Sequence, residues 1–225
     1  MRKPKDVIIN GITLDKILTE HEKWLDIGGG TQADLSYTDL REVDLSGKDL
    51  RGINLNGTCF HYADLTCAKL KFADLRDADL RFSKLRGADF ASASLAGAYL
   101  SNASNTETCK YNETTSFFAL QCPEEGSFIG WKVCKYGLIV KLEIPKEARR
   151  SSATSRKCRA EFVKVLEIQD SDGHRFDYFA YSTFDRTVYK EGITVHADKW
   201  DSDRWNECSN GIHFFITRQE AVNYM

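Results

Sequence analysis

A large apolar residue stands at every fifth position, without a break, at Leu35, Leu40, Leu45, Leu50, Leu55, Phe60, Leu65, Leu70, Leu75, Leu80, Leu85, Phe90, Leu95 and Leu100. Two residues before each centre lies a mostly small one: Ala33, Thr38, Val43, Lys48, Ile53, Thr58, Ala63, Ala68, Ala73, Ala78, Ser83, Ala88, Ala93 and Ala98. A period of five fits neither a helix at 3.6 nor a strand at 2. It requires a coil with four flat sides of one pentapeptide each, with two residues of every five turned inward and the backbone paired to the coils above and below.

The pattern A-(D/N)-L-x-x, standing as Ala63-Asp64-Leu65, Ala73-Asp74-Leu75 and Ala78-Asp79-Leu80, resembles the pentapeptide-repeat family over residues 31–105. The resemblance implies a right-handed quadrilateral β-helix of about twenty residues per coil, a rod of three and a half coils and about 17 Å. Residues twenty apart then stack, Leu40, Phe60, Leu80 and Leu100 in one ladder and Leu50, Leu70 and Phe90 in another. Open β-helix ends need caps. The N-terminal cap is expected from residues 1–30. There Thr13 can N-cap a helix whose Leu14, Ile17, Leu18, His21, Trp24 and Leu25 share one face, ending at Gly28-Gly29-Gly30. His21 reads as a packing residue, and the bulky Val43 and Ile53 and inward Lys48 suit a coil that meets something other than another coil.

After Leu100 the period fails. Residues 106–127 read as a degenerate coil and linker, and 128–225 as a small α+β domain, so the chain as a whole is expected to be mainly β. Leu138, Val140, Leu142 and Ile144 alternate with Ile139, Lys141 and Glu143 up to Pro145, and 162–168 forms another strand. Asp172-Gly173 is read as a hairpin turn into a strand at 175–181, with further strands at 193–196 and 212–216. Thr217-Arg218-Gln219-Glu220 is a capping box that opens a short helix. The segments Gly130-Trp131-Lys132, Arg150-Ser151-Ser152-Ala153-Thr154, Arg156-Lys157-Cys158-Arg159-Ala160 and Cys208-Ser209-Asn210-Gly211-Ile212-His213-Phe214-Phe215 resemble an uncharacterised domain that follows pentapeptide repeats in bacterial and bacteriophage proteins. The helix segment His21-Glu22-Lys23-Trp24-Leu25 resembles their N-terminal part.

Two surfaces are candidate sites. On the rod, Arg41, His61 and Arg81 form one column, with Tyr62, Phe82 and Tyr99 beside it; exposed aromatics with arginines are what interfaces use. In the second half Lys146, Arg149, Arg150, Arg156, Lys157 and Arg159 are interleaved with Ser151, Ser152, Thr154 and Ser155. Read as one loop, these guanidinium forks and hydroxyls suit a phosphorylated small molecule or nucleotide; the competing reading is a charge run paired with local acids. Catalysis has no candidate residues. Cys208 and His213, five apart at a strand entry, fall on opposite faces and have no third orienting group. Trp200, Asp201, Asp203, Arg204 and Trp205 form an acidic-aromatic loop too poor in ligands for a metal, and no cofactor is expected.

The chain's 31 Lys and Arg against 33 Asp and Glu leave a net charge of -2, which points to no nucleic-acid partner. The resemblance extends to gyrase-binding duplex mimics, a topoisomerase-binding role. Residues 31–105, however, hold ten acids against nine bases, a poor imitation of a duplex with one charge per about 1.7 Å. The start has no signal-peptide core, no apolar run is long enough to span a membrane, and seven cysteines without C-x-x-C spacing suggest reduced thiols in a cytoplasm. The reading is a non-catalytic interaction or adaptor protein for a protein partner, with oligomerisation open.

Overall fold

The computed structural model describes residues 1–224, apart from the side chain of Ile27, and divides into two compact units, Met1–Ala119 and a second from Leu120 onward. The first unit opens with a 3-10 turn, Pro4–Asp6, and a hairpin of β1 (Ile8–Ile9) and β2 (Ile12–Thr13) around Asn10 and Gly11. Both turn residues have positive φ, 50° and 82°, as a two-residue hairpin demands of Asn-Gly. This signal lay in the sequence beside the apolar triplet Val7-Ile8-Ile9. Helix α1 (Leu14–Ile27) follows, with the Lys16 N–H donating to Thr13 Oγ1 and Gly28 closing it in the left-handed region. Leu14, Leu18 and His21 are buried on its inner face.

Residues 34–104 then wind in coils of twenty. Parallel bridges join Asp34 to Asn54, Asn54 to Asp74, Asp74 to Ser94, and their counterparts on the other sides. All fourteen apolar centres are at most 1% exposed. The position two before each is buried as well, save the half-buried Thr38 and Lys48. Hydroxyls turned inward are satisfied by backbone, Thr58 Oγ1 donating to Leu35 O at 2.7 Å and Ser83 Oγ to Leu80 O at 2.7 Å, so they escape the penalty of an unpaired buried group. The coil persists past residue 105 with extra residues. Lys110 and Ser116 bridge Asp89 and Ser94, the 3-10 turn Thr106–Thr108 absorbs the added length, and Phe118 stacks on Phe90 at 5.6 Å.

Each corner of the coil has the same backbone. The residue two after every centre, from Tyr37 to Asn102, has φ between 55° and 72°, fourteen in succession, and the next N–H returns to the centre's carbonyl, as Thr38 N to Leu35 O. That is the positive-φ third position of a tight turn. Only five of these positions are glycine.

The second unit holds β3 (Phe128–Val133), β4 (Ile139–Ile144), β5 (Arg150–Ser152), β6 (Cys158–Ala160), β7 (Phe162–Gln169), β8 (Ala180–Tyr181), β9 (Val188–Tyr189), β10 (Thr194–His196), β11 (Ile212–Phe214) and α2 (Arg218–Asn223). They form antiparallel sheets in the orders β10-β7-β4-β3, β11-β6-β5 and β8-β9. Leu138, Val140, Leu142 and Ile144 turn into one core with Val163, Val165 and Phe214. Ile139, on the opposite face, is buried too, because Phe215 and Ala221 cover that end of the sheet. The capping box of Thr217 and Glu220 is present on α2.

The expected hairpin into a strand at 175–181 is corrected. Only the single bridge Gln169 to Arg175 forms, and pairing resumes at β8. Asp170 draws the turn shut by accepting from the N–H groups of Asp172 and His174, and the aromatics at 176, 178, 179 and 181 do not alternate with polar residues, so no single face is available to bury.

Candidate functional site

On the rod, the corner backbone decides which side chains stand out. Tyr62 and Phe82 occupy equivalent corners one coil apart, with φ of 60° and 58°, and their rings stack at 5.1 Å. His61 meets both edge-on, at 4.7 and 5.1 Å. Tyr62 is 51% and Phe82 40% exposed, so the cluster is open. Arg81 lies 5.7 Å from the Tyr99 ring centroid while donating from Nε and Nη2 to Asp79, and Arg41 grips Asp39 in the same bidentate way. The six expected residues thus divide into a three-ring cluster, two arginines already held, and Tyr99 beneath Arg81. The corner rule also identifies Tyr37 and Phe72, both strongly exposed, which a search by columns passed over.

Most acids of the rod are paired where they stand. Arg51 and Arg76 pair with Asp49 and Asp74 two residues earlier, and Lys69 and Lys84 reach Asp49 and Asp64 one coil away. The Arg41 guanidinium holds the Asp39 carboxyl down at about 2, and the Lys3 ammonium with Ser46 does the same for Asp44.

The basic run of the second unit is not one loop, a second correction: Arg150, Ser151, Ser152 and Arg159 belong to the paired strands β5 and β6. Arg149 donates twice to Glu161, and Arg156 to Glu220 and Gln121. Arg150 is taken up by the carbonyls of Pro123, Gly126, Pro145 and Ala148. Arg159, 2% exposed, donates to the carbonyls of Asp201, Asp203 and Asn210 and lies 5.0 Å from the Trp200 centroid. Lys146 is beside Glu147, and Lys157 is between Glu207 and the Cys208 thiol. Ser155 donates to Glu207, Ser152 Oγ accepts from Gln121 N, Thr154 is buried, and the buried Ser151 hydroxyl has no hydrogen-bond partner. The acidic-aromatic loop 200–205 therefore serves Arg159: its carbonyls solvate a buried guanidinium, and the Asp201 carboxylate ties the loop together through Asp203 N, Asn206 and Ser209.

Cys208 is exposed, whereas His213 is half-buried with Nε2 donating to Glu207 O at 2.9 Å. Burial, with Lys132, Lys157 and Arg159 nearby, pushes the His213 imidazole down to about 4. It is neutral at physiological pH, and its Nε2–H is taken by the Glu207 carbonyl. Among the described residues no three His, Cys, Asp or Glu side chains gather as a metal ion would need.

One surface escaped the sequence reading. Tyr136, Phe176, Tyr178, Phe179, Tyr181 and Phe184 are all exposed. They line two clefts, of about 490 and 510 Å³, which share Tyr136 as a wall. The signal was the aromatic density of residues 176–184, which was absorbed into the expected strand.

The pentapeptide-repeat family model matches residues 33–71 and 73–104, and the Family of unknown function (DUF5758) matches 118–221. No curated protein matches the chain at a significant level. Among solved structures, the chain is similar to the pentapeptide-repeat protein Rfr23 of the cyanobacterium Cyanothece 51142. The two are 29% identical over 37% of this chain and 56% of that one, with a TM-score of 0.36. Alr5209 of Nostoc Pcc 7120 is 26% identical over 42% of this chain and 93% of its own, TM-score 0.23. QnrB1, a plasmid-mediated fluoroquinolone resistance protein, is 22% identical over 38% and 53%, TM-score 0.28. The chain thus spans only about half the length of Rfr23 and of QnrB1. No helix among the described residues is long and apolar enough to cross a membrane. The chain carries pentapeptide repeats within residues 33–104, and residues 118–221 match the family of unknown function DUF5758.

Proposed function

We propose that the chain is a non-catalytic interaction protein of the cytoplasm in which α1 caps a right-handed, four-sided β-helix and the His61, Tyr62 and Phe82 cluster, flanked by Arg41, Arg81 and Tyr99, receives a protein partner. The observation that supports it is the placing of two stacked, exposed rings on left-handed backbone. An L-residue there costs roughly 1–2 kcal/mol, and both rings keep a large exposed surface, 51% and 40%. The bond to Ala33 N–H at His21 Nδ1 and the bond to Arg51 O at Nε2 support the capping role of α1, since they satisfy backbone at the start of the coil.

Duplex mimicry is the weaker role. Asp39, Asp49, Asp74 and Asp79 each have an arginine in contact, so much of the rod's acidity is held in ion pairs. The basic hairpin is read as a clamp on its own domain, because its guanidiniums are bound to carboxylates and carbonyls.

The test is affinity purification of the full chain from its own cells beside the variants Tyr62→Ala/Phe82→Ala and Arg149→Ala/Arg156→Ala. Removing two central aromatics weakens a protein interface by about 2 kcal/mol or more, some thirtyfold. Loss of a partner with the aromatic variant, and its retention with the arginine variant, is the expected result. A partner retained undiminished by the aromatic variant, with its circular dichroism unchanged, refutes the reading.

A further inference from the structure

We propose that Cys122 and Cys158 are a hydroperoxide-sensitive thiol pair that closes into a disulfide within the second domain. The placement comes from strand register. Ser152 of β5 faces Cys158 of β6, and Ser152 Oγ accepts from Gln121 N at 2.8 Å, which brings residue 122 alongside that pair. The Arg150 guanidinium holds the segment there through Gly126 O at 2.7 Å and Pro123 O at 3.4 Å. Both thiols lie in one core cluster, 4% and 0% exposed, near enough for each to perturb the other.

The two sulfurs are unequal. Contact with Cys122 together with burial raises the Cys158 thiol, whose S–H donates to Arg156 O at 3.8 Å, while contact with Cys158 and the charges of Arg150 and Arg204 lower Cys122 against its burial. Cys122 is therefore the more readily ionised of the two and the attacking sulfur. Its sulfur takes the terminal oxygen of a hydroperoxide, the O–O bond breaks, and water or the alcohol leaves with a proton, giving a sulfenic acid. Cys158 sulfur then displaces hydroxide, which leaves as water with the Cys158 proton, and the S–S bond forms. Two thiols lose two electrons and the peroxide gains them. The buried Cys109 and Cys134 differ: burial pushes them up to about 12 and about 11.

The experiment treats the native full-length protein with hydrogen peroxide, alkylates it after denaturation and maps tryptic peptides without reductant. The expected product joins peptide 111–132 to peptide 158–159, lighter by two hydrogens than their sum, and separates on reduction. A Cys158→Ala variant, lacking the second thiol, leaves a Cys122 sulfenic acid that dimedone labels. The proposal is overturned if Cys122 and Cys158 are both alkylated after peroxide has oxidised the exposed Cys67 and Cys208, or if Cys122 links to a different cysteine. The wild-type map decides the matter alone should the variant fail to fold.

Discussion

His213 ties the stability of the second domain to pH. The folded domain holds a neutral imidazole whose proton sits on Nε2 for the Glu207 carbonyl, and burial with three neighbouring cations keeps it from charging until about pH 4. In the unfolded chain the same group titrates near 6.5. Between these values the unfolded chain binds more protons, so the contribution is complete above pH 6.5 and is lost as pH falls through the window. Lowering the folded value from 6.5 to about 4 amounts to about 3 kcal/mol over the whole window, of which about 2 kcal/mol is gone at pH 5. His213→Gln keeps an N–H donor at the Nε2 position and cannot titrate. Urea unfolding followed by tryptophan fluorescence, to which the second unit contributes Trp131, Trp200 and Trp205, compares the two proteins at pH 7 and pH 5. Wild type is expected to lose about 2 kcal/mol more than the variant over that step. His21, also lowered by burial in the first unit, is common to both and cancels in the difference. Equal losses in the two proteins refute the assignment.

Two substitutions probe backbone and polar burial. Gly47→Ala adds a methyl into open space at φ 66°, so its cost is conformational alone, about 1 kcal/mol, read as a lower thermal midpoint; an unchanged midpoint means that the corner relaxes. Ser151→Ala removes a buried hydroxyl that has no hydrogen-bond partner. It is expected to be neutral or stabilising in denaturant unfolding, and a loss above about 1 kcal/mol would show that the hydroxyl has a partner after all.

How far the sequence reaches depends on which force acts at each position. Burial repeats every five residues, so the apolar centres at 35–100, the stacking of residues twenty apart and the helix N-cap at Thr13 were all legible. The left-handed corners were not, because Tyr37, Tyr62, Phe72 and Phe82 stand where glycine would have announced them. In the second domain β5 and β6 are three residues each, too short for a period of two to show. The arginines of this run suggested solvent, although Arg159 of β6 is solvated by protein carbonyls and lies in the interior.

The same local pairing of charge recurs in both halves, and it bears on recognition. On the rod, arginines close on aspartates two residues back; in the second domain, Arg149, Arg156 and Arg175 close on Glu161, Glu220 and Glu191. Ion pairs of this exposed kind add little stability each, but they hold much of the rod's charge locally. Beside the charges outside these pairs, the surface carries exposed aromatics: the stacked corner rings of the coil, and the ring-lined clefts around Tyr136. On the proposed reading, recognition therefore rests on apolar contact and ring geometry, with charge limiting which neighbours can approach.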